Sequence, residues 1–185
     1  MLHLKDIHPD WTLFLDRDGV INLEKPGDYI YNWNEFIFYE GVLHALASLS
    51  RRFGTLIIAT NQRGVSKGLM SMDDLEDMHS RMVKAVEAAG GRIDRIYCCL
   101  ALDNQDPCRK PNPGMAFQAK KDFPSIEFAR SVMVGNTLSD MEFGRNAGMH
   151  TVHVTTTHPG IILPHDAIDL QYPDLRSFAK DLEIP

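Results

Sequence analysis

No stretch of this chain holds the 18 or more apolar residues that a membrane span needs, and the opening Met1-Leu2-His3-Leu4-Lys5-Asp6-Ile7-His8 lacks the apolar core of a secretory leader. No membrane partner is expected, and a cytoplasmic location is the default. Cysteine is scarce: the three residues Cys98, Cys99 and Cys108 are too few for a disulfide framework and suit a reducing compartment. Positive charge is in deficit as well. With 19 Lys and Arg against 25 Asp and Glu, a net charge of −6, no basic face for nucleic acid is expected, although a local group of cations can still receive a small anion. Repeats, linkers and low-complexity tracts are missing too, so one domain over 1–185, working as a monomer, is expected.

The chain instead alternates two periodicities. Strand-like runs are Trp11–Leu15, Thr55–Ala59, Ile93–Leu102, Ser131–Val134 and Thr151–Val154. Between them lie helical patterns over Gly41–Phe53, from Ser71 to Gly90, over 114–123, from about Leu138 to Ala147, and over Pro173–Leu182. Ser71 with Asp74 reads as a capping box. Such alternation predicts right-handed crossovers and a mainly parallel, doubly wound α/β sheet covered on both faces. Residues 23–40 carry Tyr29, Tyr31, Trp33, Phe36, Phe38 and Tyr39, expected to pack a loop onto the core rather than to line a ligand.

Polar residues crowd the strand exits, where ligands of doubly wound sheets bind. Asp16 and Asp18 end the first apolar run; like charges so close repel unless a cation such as Mg²⁺ lies between them. Taken alone, that pair also serves to cap a turn, Thr60 to end a strand, and Arg109-Lys110 as a solvated surface pair. Together they are the parts that phosphoryl transfer requires: a carboxylate nucleophile, a metal to neutralise oxygens, and donors around the phosphoryl group.

Asp16-Arg17-Asp18-Gly19-Val20-Ile21-Asn22, Thr60-Asn61-Gln62, Cys108-Arg109-Lys110-Pro111-Asn112-Pro113-Gly114-Met115 and Val134-Gly135-Asn136-Thr137-Leu138-Ser139-Asp140-Met141 follow the order of the four motifs of the haloacid dehalogenase superfamily. Within it the chain resembles the D,D-heptose 1,7-bisphosphate phosphatases and the related histidinol-phosphate phosphatases, from about Trp11 to Leu182. The resemblance implies a three-layer, Rossmann-like fold and a Mg²⁺-dependent phosphomonoesterase acting on a small phosphorylated sugar, with histidinol phosphate as the alternative substrate. Asp16 would be the nucleophile and Asp18 the general acid and base. Thr60 would bind a phosphoryl oxygen and Lys110 would offset the charge of Asp16. Asn61, Gln62, Arg63, Lys67 and Arg109 would face the substrate, Lys67 and Arg63 at a second phosphate. Mg²⁺ would lie on the Asp16 carboxylate, the Asp18 backbone carbonyl and Asn136.

Two departures from the family pattern stand out. Asn136 occupies a position where most relatives carry Asp; its amide oxygen can bind Mg²⁺ but brings no charge, so Asp140 is expected to compensate, directly or through water. These phosphatases also often bind zinc through a Cys-x-His and a Cys-x-Cys pair. Here Ala101 and Asp106 replace two of the ligands, so no zinc is expected, and the three cysteines are read as buried or idle thiols. His150 and His153 fall on opposite faces of a strand and form no site. No insertion is long enough for a large cap domain, which leaves an open site covered by residues 23–40, 63–70 and 100–108. Other readings are a catalytically weak phosphosugar-binding protein and a phosphorylation-switch receiver, the latter disfavoured by the Asp-x-Asp-Gly spacing.

Overall fold

The four residues of β1 (Thr12–Leu15) are all buried, the pattern of a strand covered on both faces. Leu13 and Leu15 point into one cluster, Phe14 into another. β1 lies between β2 (Thr55–Asn61) and β4 (Ser131–Gly135); β3 (Arg95–Cys99) flanks β2, and β5 (His150–Val154) and β6 (Leu170–Tyr172) continue on the other side. All five pairings are parallel, in the order β3-β2-β1-β4-β5-β6. This computed structural model describes residues 2–183; the outer residues of the expected 1–185 domain lie outside the described residues.

Each face carries helices. α1 (Val42–Arg52), α3 (Met72–Ala88) and α6 (Leu175–Glu183) bury Leu46, Leu49, Met78, Met82 and Phe178 on the Leu13 side. α4 (Gly114–Asp122) and α5 (Leu138–Ala147) set Met115, Ala119 and Phe143 against Phe14, Ile57 and Met133. The three-layer, doubly wound α/β fold is therefore the one the alternation predicts, with the chain reversing direction from β1 outwards and no large cap. Among the described residues no helix is long and apolar enough to cross a membrane. The Ser71–Asp74 capping box forms as read, and Thr137–Asp140 makes a second one at α5.

Three readings need correction. β2 runs to Asn61, so Thr60 and Asn61 belong to the strand; β3 stops at Cys99, and residues 100–108 are turns and irregular loop. Neither α2 (Arg63–Ser66) nor β6 is legible in the sequence, since a four-residue helix and a three-residue, half-buried edge strand carry no periodicity. The cysteines are not all idle: Cys99 at the end of β3 and Cys108 in the returning loop form a disulfide, with Cα atoms 5.6 Å apart, and Cys98 alone is free.

Asp169 ties β6 to the rest of the sheet. It accepts from the Thr151 amide at 3.0 Å and pairs with Arg145 at 2.9 Å, its side chain 7% exposed. Burial raises its pKa, but Arg145 and the Thr151 amide outweigh this and hold the carboxyl below its usual range. A depressed carboxyl pKa contributes stability above the unfolded value, and loses it as pH falls through the folded one. Asp169→Asn is therefore expected to cost about 1.5–3 kcal/mol in urea unfolding at pH 7. The gap should narrow at pH 3; an equal gap at both pH values would contradict this.

Candidate active site

The backbone of Asp16 is anchored before its side chain acts: its amide donates to the Val134 carbonyl at 3.0 Å, which places the carboxylate beyond the carboxyl end of β1. Lys110 Nζ lies 2.8 Å from Asp16 Oδ1 and 2.6 Å from Asp140 Oδ1, its side chain 2% exposed. Burial alone would lower the lysine's pKa, yet the two carboxylates raise it and keep it charged. Burial pushes Asp16 up to about 7, with Lys110 opposing and Asp140 and Asp18 reinforcing the rise. One cation is thus shared between two buried anions.

Asp18 is held by donors on every side. Arg17 Nη2 reaches its two oxygens at 2.9 and 3.0 Å, Asn22 Nδ2 donates at 2.9 Å, and Gln62 Nε2 at 2.9 Å. Burial pushes this carboxyl up, but Arg17, Asn22 and Gln62 bring it below its usual range. Arg17 is fully buried; its Nη1 lies 3.0 Å from His79 Nε2, and burial and that guanidinium lower the imidazole to about 3, so His79 accepts as a neutral ring. Gly19 follows at φ +80°, where a Cβ would come within 2.0 Å of Asn136 Nδ2; only glycine lets the two loops meet.

The structure gathers Asp16, Asp18, Thr60, Lys110, Arg109 and Asn136 around one cavity of about 330 Å³. The other expected residues divide. Asn61 and Gln62 touch this cavity, with both amide atoms of Asn61 and the amide nitrogen of Gln62 bonded to the protein. Asn61 Oδ1 accepts from the Lys110 amide at 3.1 Å and its Nδ2 donates to the Lys110 carbonyl at 3.3 Å, clamping that loop. Gln62 Nε2 bridges Asp18 and Thr60 Oγ1, each at 2.9 Å. Arg63 turns to the Ala101 carbonyl and Asn104, and exposed Lys67 to the Tyr29 hydroxyl at 2.9 Å; neither lines the cavity. Asp140 is committed on both oxygens: Oδ1 to Lys110, Oδ2 to the amide and hydroxyl of Thr137 at 3.0 and 2.7 Å.

The HAD-hydrolase-like family matches residues 107–176. A Mycobacterium bovis protein named D-glycero-alpha-D-manno-heptose-1,7-bisphosphate 7-phosphatase is 39% identical over 137 residues, covering 74% of this chain and 72% of its own. The chain belongs to the haloacid dehalogenase-like phosphatases. A Pseudomonas aeruginosa member, named for the 7-phosphatase of the beta anomer, is 37% identical over 78% of this chain and 80% of its own. The D,D-heptose 1,7-bisphosphate phosphatase of B. bronchiseptica, solved with magnesium and phosphate, superposes with a TM-score of 0.83 at 29% identity over 94% of this chain and 98% of that one.

As a haloacid dehalogenase-like phosphatase the protein is a phosphoric monoester hydrolase, and its site has supports that sequence reading overlooked. His153 is buried beside the fourth motif, its Nε2 3.1 Å from the Asn136 carbonyl, and holds the loop. Glu24 and Tyr29 come from the aromatic segment to line the cavity, so that segment both packs on the core and walls the site. On the loop side, Cys99, Asp106 and Cys108 gather within 4.8 Å of one another, while Ala101 offers no ligand atom.

Proposed function

We propose that this phosphatase removes the 7-phosphate of a heptose 1,7-bisphosphate, with Mg²⁺ bound, through a phosphoryl group carried on Asp16. The observation that carries the reading is Lys110 clamped between Asp16 and Asp140 at the floor of the cavity, joined to the names of relatives up to 39% identical. The donor set fits a hard cation. Asp16 is a carboxyl whose proton affinity is raised by burial, against the opposing pull of Lys110, and Asn136 Oδ1 is buried without a partner, which ordinarily costs about 1–3 kcal/mol. Asp16, the Asp18 backbone carbonyl and Asn136 would hold Mg²⁺, and when bound it supplies charge neutralisation at the phosphoryl oxygens. Asp140, with both oxygens engaged, serves Lys110 rather than the cation.

The residues then divide the work. The Asp16 carboxylate attacks phosphorus while the bond to the sugar oxygen breaks, and Asp18 gives that oxygen its proton. Asp18 next takes a proton from water, which attacks phosphorus and releases phosphate and Asp16. The donors that keep Asp18 ionised in the free protein are countered when a phosphate dianion sits beside it, because a neighbouring negative charge raises a carboxyl's proton affinity. Thr60 and Lys110 meet the phosphoryl oxygens. Arg109, whose Nη1 is buried without a partner, meets the second phosphate.

The test is phosphate release from a panel of sugar phosphates and histidinol phosphate. Heptose 1,7-bisphosphate is expected to exceed histidinol phosphate in kcat/KM at least tenfold, with release stopping on addition of EDTA and returning with Mg²⁺. Metal-independent release would refute the proposal, and a preference for histidinol phosphate would move the substrate.

A further inference from the structure

Asn136 is fixed on several sides. Its carbonyl lies 3.1 Å from His153 Nε2, and His153 Nδ1 lies 3.1 Å from Gln171 Nε2. Its Nδ2 donates to Glu24 Oε2 at 2.9 Å and to Thr157 Oγ1 at 2.6 Å. An ionised carboxylate only accepts, so the amide nitrogen must face Glu24 and the oxygen must face away. That oxygen is the buried atom left without a partner. Glu24 is half-buried and lines the same cavity as Asp16 and Asp18, while its neighbour Lys25 pairs instead with Glu35 at 2.7 Å.

We propose that Glu24 supplies the negative charge that the fourth motif lacks: it orients the Asn136 amide and, with it, forms one charged donor set for the divalent cation. Glu24 is a positioning residue that sets cation affinity from 112 residues away in sequence. An Asp at position 136 would instead set a second carboxylate against Glu24, so the Asn and the Glu are a matched pair. The charge thus stands on the facing loop, and the neutral amide at the strand tip is the ligand.

This inference rests on the Mg²⁺ site proposed above, and direct cation binding separates the two. Calorimetric titration with MgCl₂, and electron paramagnetic resonance with Mn²⁺, would compare the wild type with E24Q and the double variant N136D/E24Q. Gln at 24 keeps an acceptor for Asn136 Nδ2 and removes only the charge. E24Q is expected to bind Mg²⁺ about tenfold more weakly, or about 1.4 kcal/mol, with an unchanged melting temperature. N136D/E24Q, which returns the charge to position 136, should bind at least as tightly as the wild type. Wild-type affinity in E24Q, or a double variant as weak as E24Q, would overturn the role of Glu24. A wild type that binds neither ion at millimolar concentration would overturn the cation site itself, and this inference with it.

Discussion

Asp16→Asn is expected to lower kcat by about 10³-fold or more, some 4 kcal/mol of transition-state stabilisation, because the amide cannot form the bond to phosphorus. The same substitution should leave the fold as stable as before at pH 8, or more so. The Asp16 carboxyl has a pKa of about 7 against 3.8 in an unstructured chain, burial being the largest cause. A raised carboxyl pKa favours the folded state only below the unfolded value, and its ionised form costs stability progressively as pH rises towards 7. The Asn variant escapes that cost, and Lys110 keeps Asp140 at 2.6 Å. Activity and stability therefore part in opposite directions, as they do where a site holds strained charge for chemistry. Steady-state phosphate release and thermal unfolding at pH 8 are the measurements. Retained turnover would remove Asp16 as nucleophile, whereas lost turnover with a lowered melting temperature would mean that the carboxylate serves the fold.

What the sequence discloses depends on how far a contact reaches. Asp16 and Asp18 are legible because the strand pattern and the spacing of acids are local, and β1 delivers Asp16 to within 2.8 Å of Lys110. Four ordered motifs place the remaining strand tips. The supports lie at long separations: His79 under Arg17 across 62 residues, Glu24 against Asn136 across 112. Neither pair has a spacing to betray it, and each becomes visible only when the sheet brings its loops together. Further roles within motifs were also hidden, since Asn61 and Gln62 line the cavity where substrate contacts are expected and also bond Lys110, Asp18 and Thr60. The Cys99–Cys108 bond escaped for a different reason: cysteine counting speaks to frameworks, and a single short loop closing on its own strand is not one.

Lys110→Met should show how much of the site that one cation holds. Removing it leaves Asp16 and Asp140, the latter 1% exposed, together at the buried end of the cavity with no opposing charge between them. Breaking a buried ion pair from one side typically costs about 3–5 kcal/mol, since desolvation remains while attraction is lost. For a chain of this size that lowers the melting temperature by about 6–20 °C at pH 8. The sign with pH is set by Asp16: its carboxyl, pushed up to about 7 even with Lys110 opposing the rise, takes up a proton as pH falls from 8, and the deficit relative to wild type shrinks. Adding Asp16→Asn to Lys110→Met removes one of the two stranded carboxylates and should recover part of the loss, a coupling that independent sites would not give. A Lys110→Met protein that melts with the wild type at pH 8 would mean that water or a rearranged loop already neutralises the pair. The buried charge balance on which the nucleophile depends would then be absent.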